Sequence, residues 1–171
     1  MLLTKITIKN FRGIEELTVT LDQCTVLIGE NNTGKTSVLE AVHTCLSRNL
    51  SRKVVPFGEY DFHLTGTNPE PSSAPPIEMN FTFVESTEDE WPDAIIQGLE
   101  KAVQIRDDNK QEVRLRVVAA YDSAIKDFTL EWSFLDLNNV ELPTAKHPRI
   151  VSELQQLNPA FFLAAVRDAG Q

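Results

Sequence analysis

Residues 29–36 have the sequence Gly-Glu-Asn-Asn-Thr-Gly-Lys-Thr, which matches the G-x-x-x-x-G-K-T (Walker A) pattern of a phosphate-binding loop. A short apolar run rich in β-branched residues, 25–28, precedes the pattern, and a segment with helical periodicity, 37–46, follows it. A strand before the loop and a helix after it are the context in which this pattern binds phosphate. The sequence therefore favours a strand–loop–helix unit over a glycine turn that merely caps a helix.

The residue types in this loop suit a nucleoside triphosphate. Glycine lets the backbone approach the phosphates closely, and the N–H groups at the start of the helix face the phosphate oxygens. We expect Lys35 to act as the catalytic residue by neutralising the β- and γ-phosphates, and Thr36 to bind Mg²⁺. The predicted cofactors are ATP and Mg²⁺, and the predicted nucleotide contacts in the loop are Gly29, Asn31, Asn32, Thr33, Gly34, Lys35, Thr36 and Ser37. For the two asparagines, backbone contacts are favoured over side-chain contacts.

The composition limits the classes of protein that the chain can belong to. Its 171 residues, 42% of them hydrophobic, suit one globular domain with a sizeable core. No apolar run reaches the length of a membrane-spanning helix, and the N-terminus lacks the apolar stretch of a signal peptide. We therefore expect a cytoplasmic protein without membrane contact. Cys24 and Cys45 match no metal or redox spacing, and both are expected to be reduced and buried.

The net charge of −9 argues against strong binding of nucleic acid by this segment alone, because such binding depends on clustered Lys and Arg. A local basic group, Arg48, Arg52 and Lys53, follows the predicted helix. Favourable charges near a helix C-terminus are the preferred interpretation of this group, and DNA contact remains the alternative.

Apolar periodicity predicts most of the secondary structure. The predicted elements are a hairpin over 4–21 that turns at 10–13, a buried strand over 24–28, helices over 35–46, 91–103 and 150–157, strands over 77–83, 113–121 and 128–134, and a central strand over 160–166. The proline-rich segment 47–76 is predicted to be a long connection within one domain. Together these elements indicate an α/β fold in which a mixed sheet surrounds the helix after the loop and antiparallel strands form an added layer.

A family resemblance rests on two nearby segments. The opening sequence Ile-Thr-Ile-Lys-Asn-Phe-Arg-Gly-Ile at 6–14, followed at short range by the phosphate-binding loop, resembles RecF-type and SMC-type ABC ATPases. Within that superfamily the chain most resembles the N-terminal ATPase region of OLD-family (overcoming lysogenization defect) ATP-dependent endonucleases. This narrower resemblance depends on Tyr60-Asp61-Phe62, on the antiparallel strands, and on the segment Phe-Leu-Ala-Ala-Val-Arg-Asp-Ala at 162–169. It covers essentially all 171 residues.

The resemblance implies an ABC/SMC-like P-loop fold, of which residues 1–171 are expected to form the N-terminal lobe, and a stand-alone relative is the alternative. The chain has neither the L-S-G-G-type signature nor the complete Walker B strand of ABC ATPases, and no Toprim nuclease. By resemblance, the full-length parent is an ATP-regulated DNA endonuclease in DNA repair or phage defence. Its implied partners are a second copy or a higher homo-oligomer joined through the ATPase heads, DNA, and an accessory helicase or defence protein. The isolated chain is expected to bind ATP weakly and hydrolyse it poorly.

The resemblance also suggests residues outside the loop. Arg12 is expected either to contact phosphate or adenine or to lie solvated in its turn. Asp168 is a candidate Mg²⁺ ligand, and Asp168 or Gln171 is a candidate for the Q-loop role near the metal and the attacking water, although a salt-bridged strand end is the simpler interpretation of Asp168. Asp61 and His63 form a polar pair in the loop after the predicted helix, and loop stabilisation by Asp61 is favoured over a role near the nucleotide or the dimer surface.

Two other functions remain as alternatives. A small P-loop kinase or phosphotransferase would have a compact parallel sheet and an arginine-rich lid, and the sequence indicates neither. A noncatalytic ATP-sensing module would use nucleotide only to control dimerisation. Transfer of label from ATP to a small acceptor would favour the kinase, and ATP-dependent dimerisation without hydrolysis would favour the sensor.

Overall fold

The computed structural model describes residues 1–30, 33–47, 55–143 and 148–160. Short 3₁₀ turns lie at Glu59–Asp61 and Glu100–Ala102. The strands and α-helices of the described residues are β1 (Leu2–Phe11), β2 (Ile14–Thr20), α1 (Lys35–Leu46), β3 (Ile77–Val84), α2 (Asp93–Leu99), β4 (Gln104–Ile105), β5 (Gln111–Asp122), β6 (Asp127–Leu135) and α3 (Pro148–Leu157). None of these helices is long and apolar enough to cross a membrane.

The strands form one sheet in which β1 and β3 are central. The order is β2-β1-β3-β5, with β6 along the far side of β5 and the two-residue β4 beside the start of β5. Every strand pairing among the described residues is antiparallel. The predicted α/β fold and its antiparallel layer are confirmed, as are the hairpins formed by β1 with β2 and by β5 with β6, whereas the described residues form no parallel pair of the predicted mixed sheet.

One face of the sheet forms the core. Because side chains alternate along a strand, cross-strand neighbours on this face build continuous apolar rows. Helix α1 covers the face with Val38, Ala41 and Cys45, and the Cys45 sulfur lies 3.4 Å from that of Met79. Burial raises the pKa of the Cys45 thiol. The two central rows, each fully or nearly fully buried, are Ile6–Phe81–Leu115–Phe134 and Ile8–Met79–Val117–Trp132.

The opposite face of the sheet is polar and concave, enclosing about 900 Å³. Glu78 accepts hydrogen bonds from Asn80 at 2.9 Å and from Arg116 at 3.0 Å, and Lys9 pairs with Glu16 at 3.2 Å. Burial acts to raise the pKa of Glu78, but these bonds and the charge of Arg116 hold that pKa below its usual value. Because these charged side chains pair with one another across the strands, we interpret the concavity as a solvated face of the sheet and not as a ligand site, despite its volume.

The prediction of a buried strand over 24–28 is wrong. These residues form no strand, and the side chains of Val26 and Ile28 are 74% and 91% exposed. A strand exists only when a neighbour pairs with it, and no described strand pairs with this run. Cys24, expected to be buried, is exposed for the same reason, whereas Cys45 is buried as expected.

The helix predicted over 91–103 is shorter in the structure. Helix α2 ends at Leu99 because Glu100 has a positive φ of 47°, which does not continue an α-helix. Trp91 and Leu99, which belong to the predicted apolar stripe, are nevertheless buried. The predictions for helices α1 and α3 are confirmed. The basic group at 48–53 and most of the predicted strand over 160–166 lie outside the described residues.

Candidate nucleotide-binding site

The phosphate-binding loop leads directly into α1. Gly34 has a left-handed backbone with φ of 87°, and its carbonyl accepts the Val38 N–H at 2.9 Å, which closes the first helical turn. No side chain caps this helix end, and the first turn contains no acidic residue. The N–H groups of Lys35, Thr36 and Ser37 therefore form a positive helix end that suits an anion.

Lys35 folds back over the loop that precedes it. Its ammonium donates hydrogen bonds to the carbonyl oxygens of Gly29, at 2.7 Å, and Glu30, and to the hydroxyl of Thr33 at 3.3 Å. The Thr33 hydroxyl in turn donates to the Glu30 carbonyl at 2.8 Å. All three acceptors of Lys35 are uncharged, so they hold the ammonium over the loop without cancelling its charge.

Both glycines of the pattern occupy positions where a larger residue would interfere. Gly29, Thr33, Gly34 and Lys35 are here called the cradle. A Cβ at Gly29 would lie 3.0 Å from the Thr33 hydroxyl oxygen, inside this cradle. A Cβ at Gly34 would lie 3.2 Å from Ile14 at the start of β2. Gly34 therefore lies directly against the β1–β2 hairpin, and the lack of a Cβ at both glycines leaves their backbone open to close approach by a phosphate group.

Replacing Gly34 with alanine is expected to destabilise the protein by about 1–2 kcal/mol, because a non-glycine residue at a left-handed φ is strained. The nearby Ile14 side chain adds to the cost. Urea unfolding measures the change. Gly66→Ala is a matched control, since its φ is not in the left-handed region and a Cβ there meets no atom within 4 Å. Equal stability of the two variants would contradict the geometry assigned to Gly34.

Arg12 lies beside α1 and is held by two carboxylates. Its Nε donates to Asp61 Oδ1 at 2.8 Å, its Nη1 pairs with Glu40 on the second turn of α1, and its guanidinium carbon lies 5.0 Å from the centroid of the Phe11 ring. The other Asp61 oxygen accepts the Gly58 N–H at 3.0 Å. The loop-stabilising role predicted for Asp61 is thus confirmed, and Arg12 is anchored, not freely solvated.

A cleft of about 390 Å³ adjoins the loop on the side of β2. Its walls combine the polar backbone of the hairpin with acidic and apolar side chains, and they are Gly13, Ile14, Glu15, Glu16, Leu17 and Thr33. A nucleoside attached to phosphates in the loop would find apolar surface and hydrogen-bond acceptors here.

Several predicted site residues are brought together. Gly29, Thr33, Gly34 and Lys35 form the cradle, and Thr36 and Ser37 follow on the first turn of α1, with Thr36 exposed. Asn31, Asn32 and Asp168 lie outside the described residues.

Within the described ranges, no group of three or more His, Cys, Asp or Glu side chains could hold a metal ion. The cradle and the hydroxyl of Thr36 nevertheless fit a Mg²⁺-bound triphosphate, because such an ion keeps several waters and takes much of its coordination from phosphate.

Glu40 is the site residue that the sequence predictions missed. It lies four residues after Thr36, on the same side of α1, and helical spacing alone could have indicated this position. Its partner Arg12 is 28 residues away in another element, so the pair depends on how the hairpin packs on the helix.

Two comparisons cover nearly the whole chain. A family model described as a protein of unknown function (DUF2813) matches residues 1–170. A solved structure of an SMC ATPase, described for ATP-driven dimerization and DNA-stimulated activation, has a TM-score of 0.51 and 16% identity, covering 92% of this chain and 81% of that one. At this identity the likeness shows the fold alone, and that fold is of the ABC/SMC type.

Three curated relatives match shorter stretches. The DNA replication and repair protein RecF of Chlorobium phaeobacteroides (strain BS1) is 41% identical over 73 residues, which are 39% of this chain and 20% of RecF. The endonuclease GajA of Bacillus cereus (strain VD045) is 35% identical over 68 residues, 40% of this chain and 11% of GajA. The uncharacterized protein YbjD of Escherichia coli (strain K12) is 49% identical over 47 residues, 28% of this chain and 8% of YbjD. The chain spans a fifth or less of the length of each.

Proposed function

Because the chain belongs to the DUF2813 family of proteins of unknown function, we propose a role from its site: it is the ATP–Mg²⁺-binding lobe of an ABC-type ATPase that regulates a DNA-processing protein. The observation that carries this proposal is the cradle formed by Lys35, the glycine-bounded loop and the uncapped start of α1. The Lys35 ammonium provides positive charge, and the backbone of the loop and of the start of α1 provides N–H donors beside it, as a triphosphate requires. The ABC/SMC-type fold is consistent with this use of the loop.

The proposed binding mode assigns a role to each residue. Lys35 moves its ammonium from the loop carbonyls to the β- and γ-phosphates, while the N–H groups of Thr33, Gly34 and the first turn of α1 bind phosphate oxygens. Thr36 would hold Mg²⁺ through its hydroxyl, and the ion would supply charge neutralisation when bound. Loop contacts by Ser37, Asn31 and Asn32, a phosphate or base contact by Arg12 and a metal contact by Asp168 belong to the proposal and remain predictions.

The parent's function is proposed from its relatives. RecF is a DNA replication and repair protein and GajA is an endonuclease, so we assign the parent to ATP-regulated DNA processing of the OLD-like type, in repair or phage defence. Association of two copies through their ATPase heads is the proposed link between nucleotide and DNA. DNA and an accessory helicase or defence protein are the proposed further partners, and the cytoplasm is the proposed location.

Replacing Thr36 with alanine is expected to remove most of the Mg²⁺ dependence of ATP binding. Since even losing a residue that supports a metal ligand costs about 10–100-fold in metal affinity, the affinity measured with Mg²⁺ should fall at least about tenfold. The affinity measured with EDTA should change little. Thr36→Ser keeps the hydroxyl and serves as the control. Equal losses for Thr36→Ala with and without Mg²⁺ would contradict the metal role.

The isolated chain offers a second test of the proposal. Equilibrium binding of ATP and phosphate release by the purified 171-residue chain should show weak binding and poor turnover. Brisk hydrolysis that Lys35→Ala abolishes would show that the chain is a complete ATPase. Transfer of labelled phosphate to a small acceptor would replace the proposal with the kinase alternative.

A further inference from the structure

The end of β1 and the turn that follows it, residues 10–13, contain an unusual backbone and are here called the turn. Asn10 and Arg12 both have left-handed conformations, with φ of 55° and 52°, although neither is glycine. Such residues cost free energy and persist only where surrounding contacts fix them. The turn is therefore a place where a neighbouring segment must supply those contacts.

Residues 58–63, here called the clamp segment, supply them. The Arg12 N–H donates to the Asp61 carbonyl at 2.7 Å, and the His63 N–H donates to the Asn10 carbonyl at 3.0 Å. An antiparallel bridge joins Phe11 to Phe62 between these two bonds. The backbone of the clamp segment thus pairs with the turn on the side opposite β2.

The same turn also contacts the phosphate-binding helix at two levels. Ile14 packs next to Gly34 immediately before α1, and Arg12 reaches Glu40 on its second turn. Glu40 is one helical turn beyond Thr36. Arg12 therefore links the clamp segment to the phosphate-binding helix through its two carboxylate partners.

Asp61 fixes the guanidinium on the clamp side. One of its oxygens accepts Arg12 Nε while the other is held by the Gly58 N–H, so the carboxylate cannot rotate without losing a bond. The Asp61 side chain is 18% exposed and that of Arg12 is 40% exposed. Arginine has five N–H donors, so a guanidinium held by two carboxylates still has donors to offer to a phosphate. Because the Arg12 side chain is already held in place, less conformational entropy is lost when nucleotide binds.

We infer that Asp61, together with Glu40, is a positioning residue for the nucleotide: it holds Arg12 against α1, the helix that follows the phosphate-binding loop, so that the clamp segment becomes part of the ATP site. This inference rests on the proposed function, because it requires nucleotide to bind at the loop. Asp61 itself contacts no phosphate in this arrangement. Its effect on ATP affinity passes entirely through Arg12.

A double-mutant cycle for Mg²⁺–ATP affinity tests the inference in the full-length protein, using wild type, Arg12→Ala, Asp61→Asn and the double variant. Asp61→Asn keeps an oxygen for the Gly58 N–H but removes the charge. It should weaken binding on the order of tenfold in the wild-type background and less than about twofold in the Arg12→Ala background. Asp61→Glu, which restores the charge, should recover part of the loss, whereas a purely structural role would give both variants similar affinities.

The controls separate the possible outcomes. Asp108→Asn removes another carboxylate paired with an arginine, Arg106, at 3.1 Å, and should leave ATP affinity unchanged. If Asp61→Asn lowers the melting temperature severely, Glu40→Gln replaces it in the cycle with the same expectation. Equal losses in both backgrounds, or tighter binding by Asp61→Asn because the carboxylate competes with phosphate, would overturn the inference. If Lys35→Ala lowers ATP affinity but Asp61→Asn does not, this inference alone is overturned. If Lys35→Ala leaves ATP affinity unchanged, the proposed function is overturned as well.

Discussion

Replacing Lys35 with alanine is expected to weaken Mg²⁺–ATP binding by roughly 100-fold, because hydrogen bonds to charged groups contribute about 1.5–3 kcal/mol. In the structure Lys35 is partly buried and its ammonium bonds to the Gly29 carbonyl at 2.7 Å, so the charge already lies over the loop and has only to shift from the loop carbonyls to the phosphate oxygens. No other residue of the loop supplies a positive side chain. Titration calorimetry on the wild type and the variant measures the loss.

The control for this experiment is a lysine away from the loop. Lys101 lies exposed in the 3₁₀ turn after α2, and Lys101→Ala should bind Mg²⁺–ATP as the wild type does. Circular dichroism should show that Lys35→Ala remains folded, since the residue is at the surface end of α1. A folded Lys35→Ala variant with wild-type affinity would show that phosphate does not bind in the cradle.

Replacing Phe81 with alanine is expected to lower the free energy of unfolding by about 3–5 kcal/mol, the usual cost of removing a buried phenyl ring. Phe81 is fully buried in β3, between Ile6 of β1 and Leu115 of β5. The cavity would therefore open in the central row that holds the β1–β2 hairpin on the sheet. Since domains of this size are stable by only about 5–15 kcal/mol, the variant should unfold at a much lower urea concentration.

Thr82→Ala is the matched control for Phe81→Ala, because Thr82 is the next residue of β3 and points to the polar face. Its loss should stay below about 1 kcal/mol, as is usual for surface substitutions. Similar losses for the two variants would contradict the assignment of the core to one face of the sheet. A small loss for Phe81→Ala would contradict the packing of its row.

The sequence predicted the elements whose stability depends on local patterns. The bounds of α1 were predicted because Gly34 marks its start, and the β1–β2 hairpin was predicted because apolar residues alternate on both sides of a turn. The run 24–28 was predicted incorrectly because apolarity indicates that a segment suits burial but does not identify the strand that would bury it. Periodicity carries no information about long-range pairing.

The residues of the site also fall into two groups, those that a local sequence pattern predicted and those that only long-range packing brings together. The cradle residues are close in sequence, so the pattern at 29–36 was enough to place Lys35 near Gly29. The cluster of Arg12, Glu40 and Asp61 joins three elements that are separated by more than 20 residues each. Charged side chains at exposed positions form no periodic pattern, and their pairing follows only from how the hairpin, α1 and the clamp segment pack.

A calorimetric titration of Mg²⁺–ATP into the wild-type full-length protein tests the central claim most directly, namely that the backbone of residues 29–36 and the Lys35 ammonium bind a triphosphate. The expected result is saturable heat of binding that is stronger with Mg²⁺ than with EDTA. A folded protein that shows no heat of binding at millimolar nucleotide, or binding that Mg²⁺ does not strengthen, would contradict the claim.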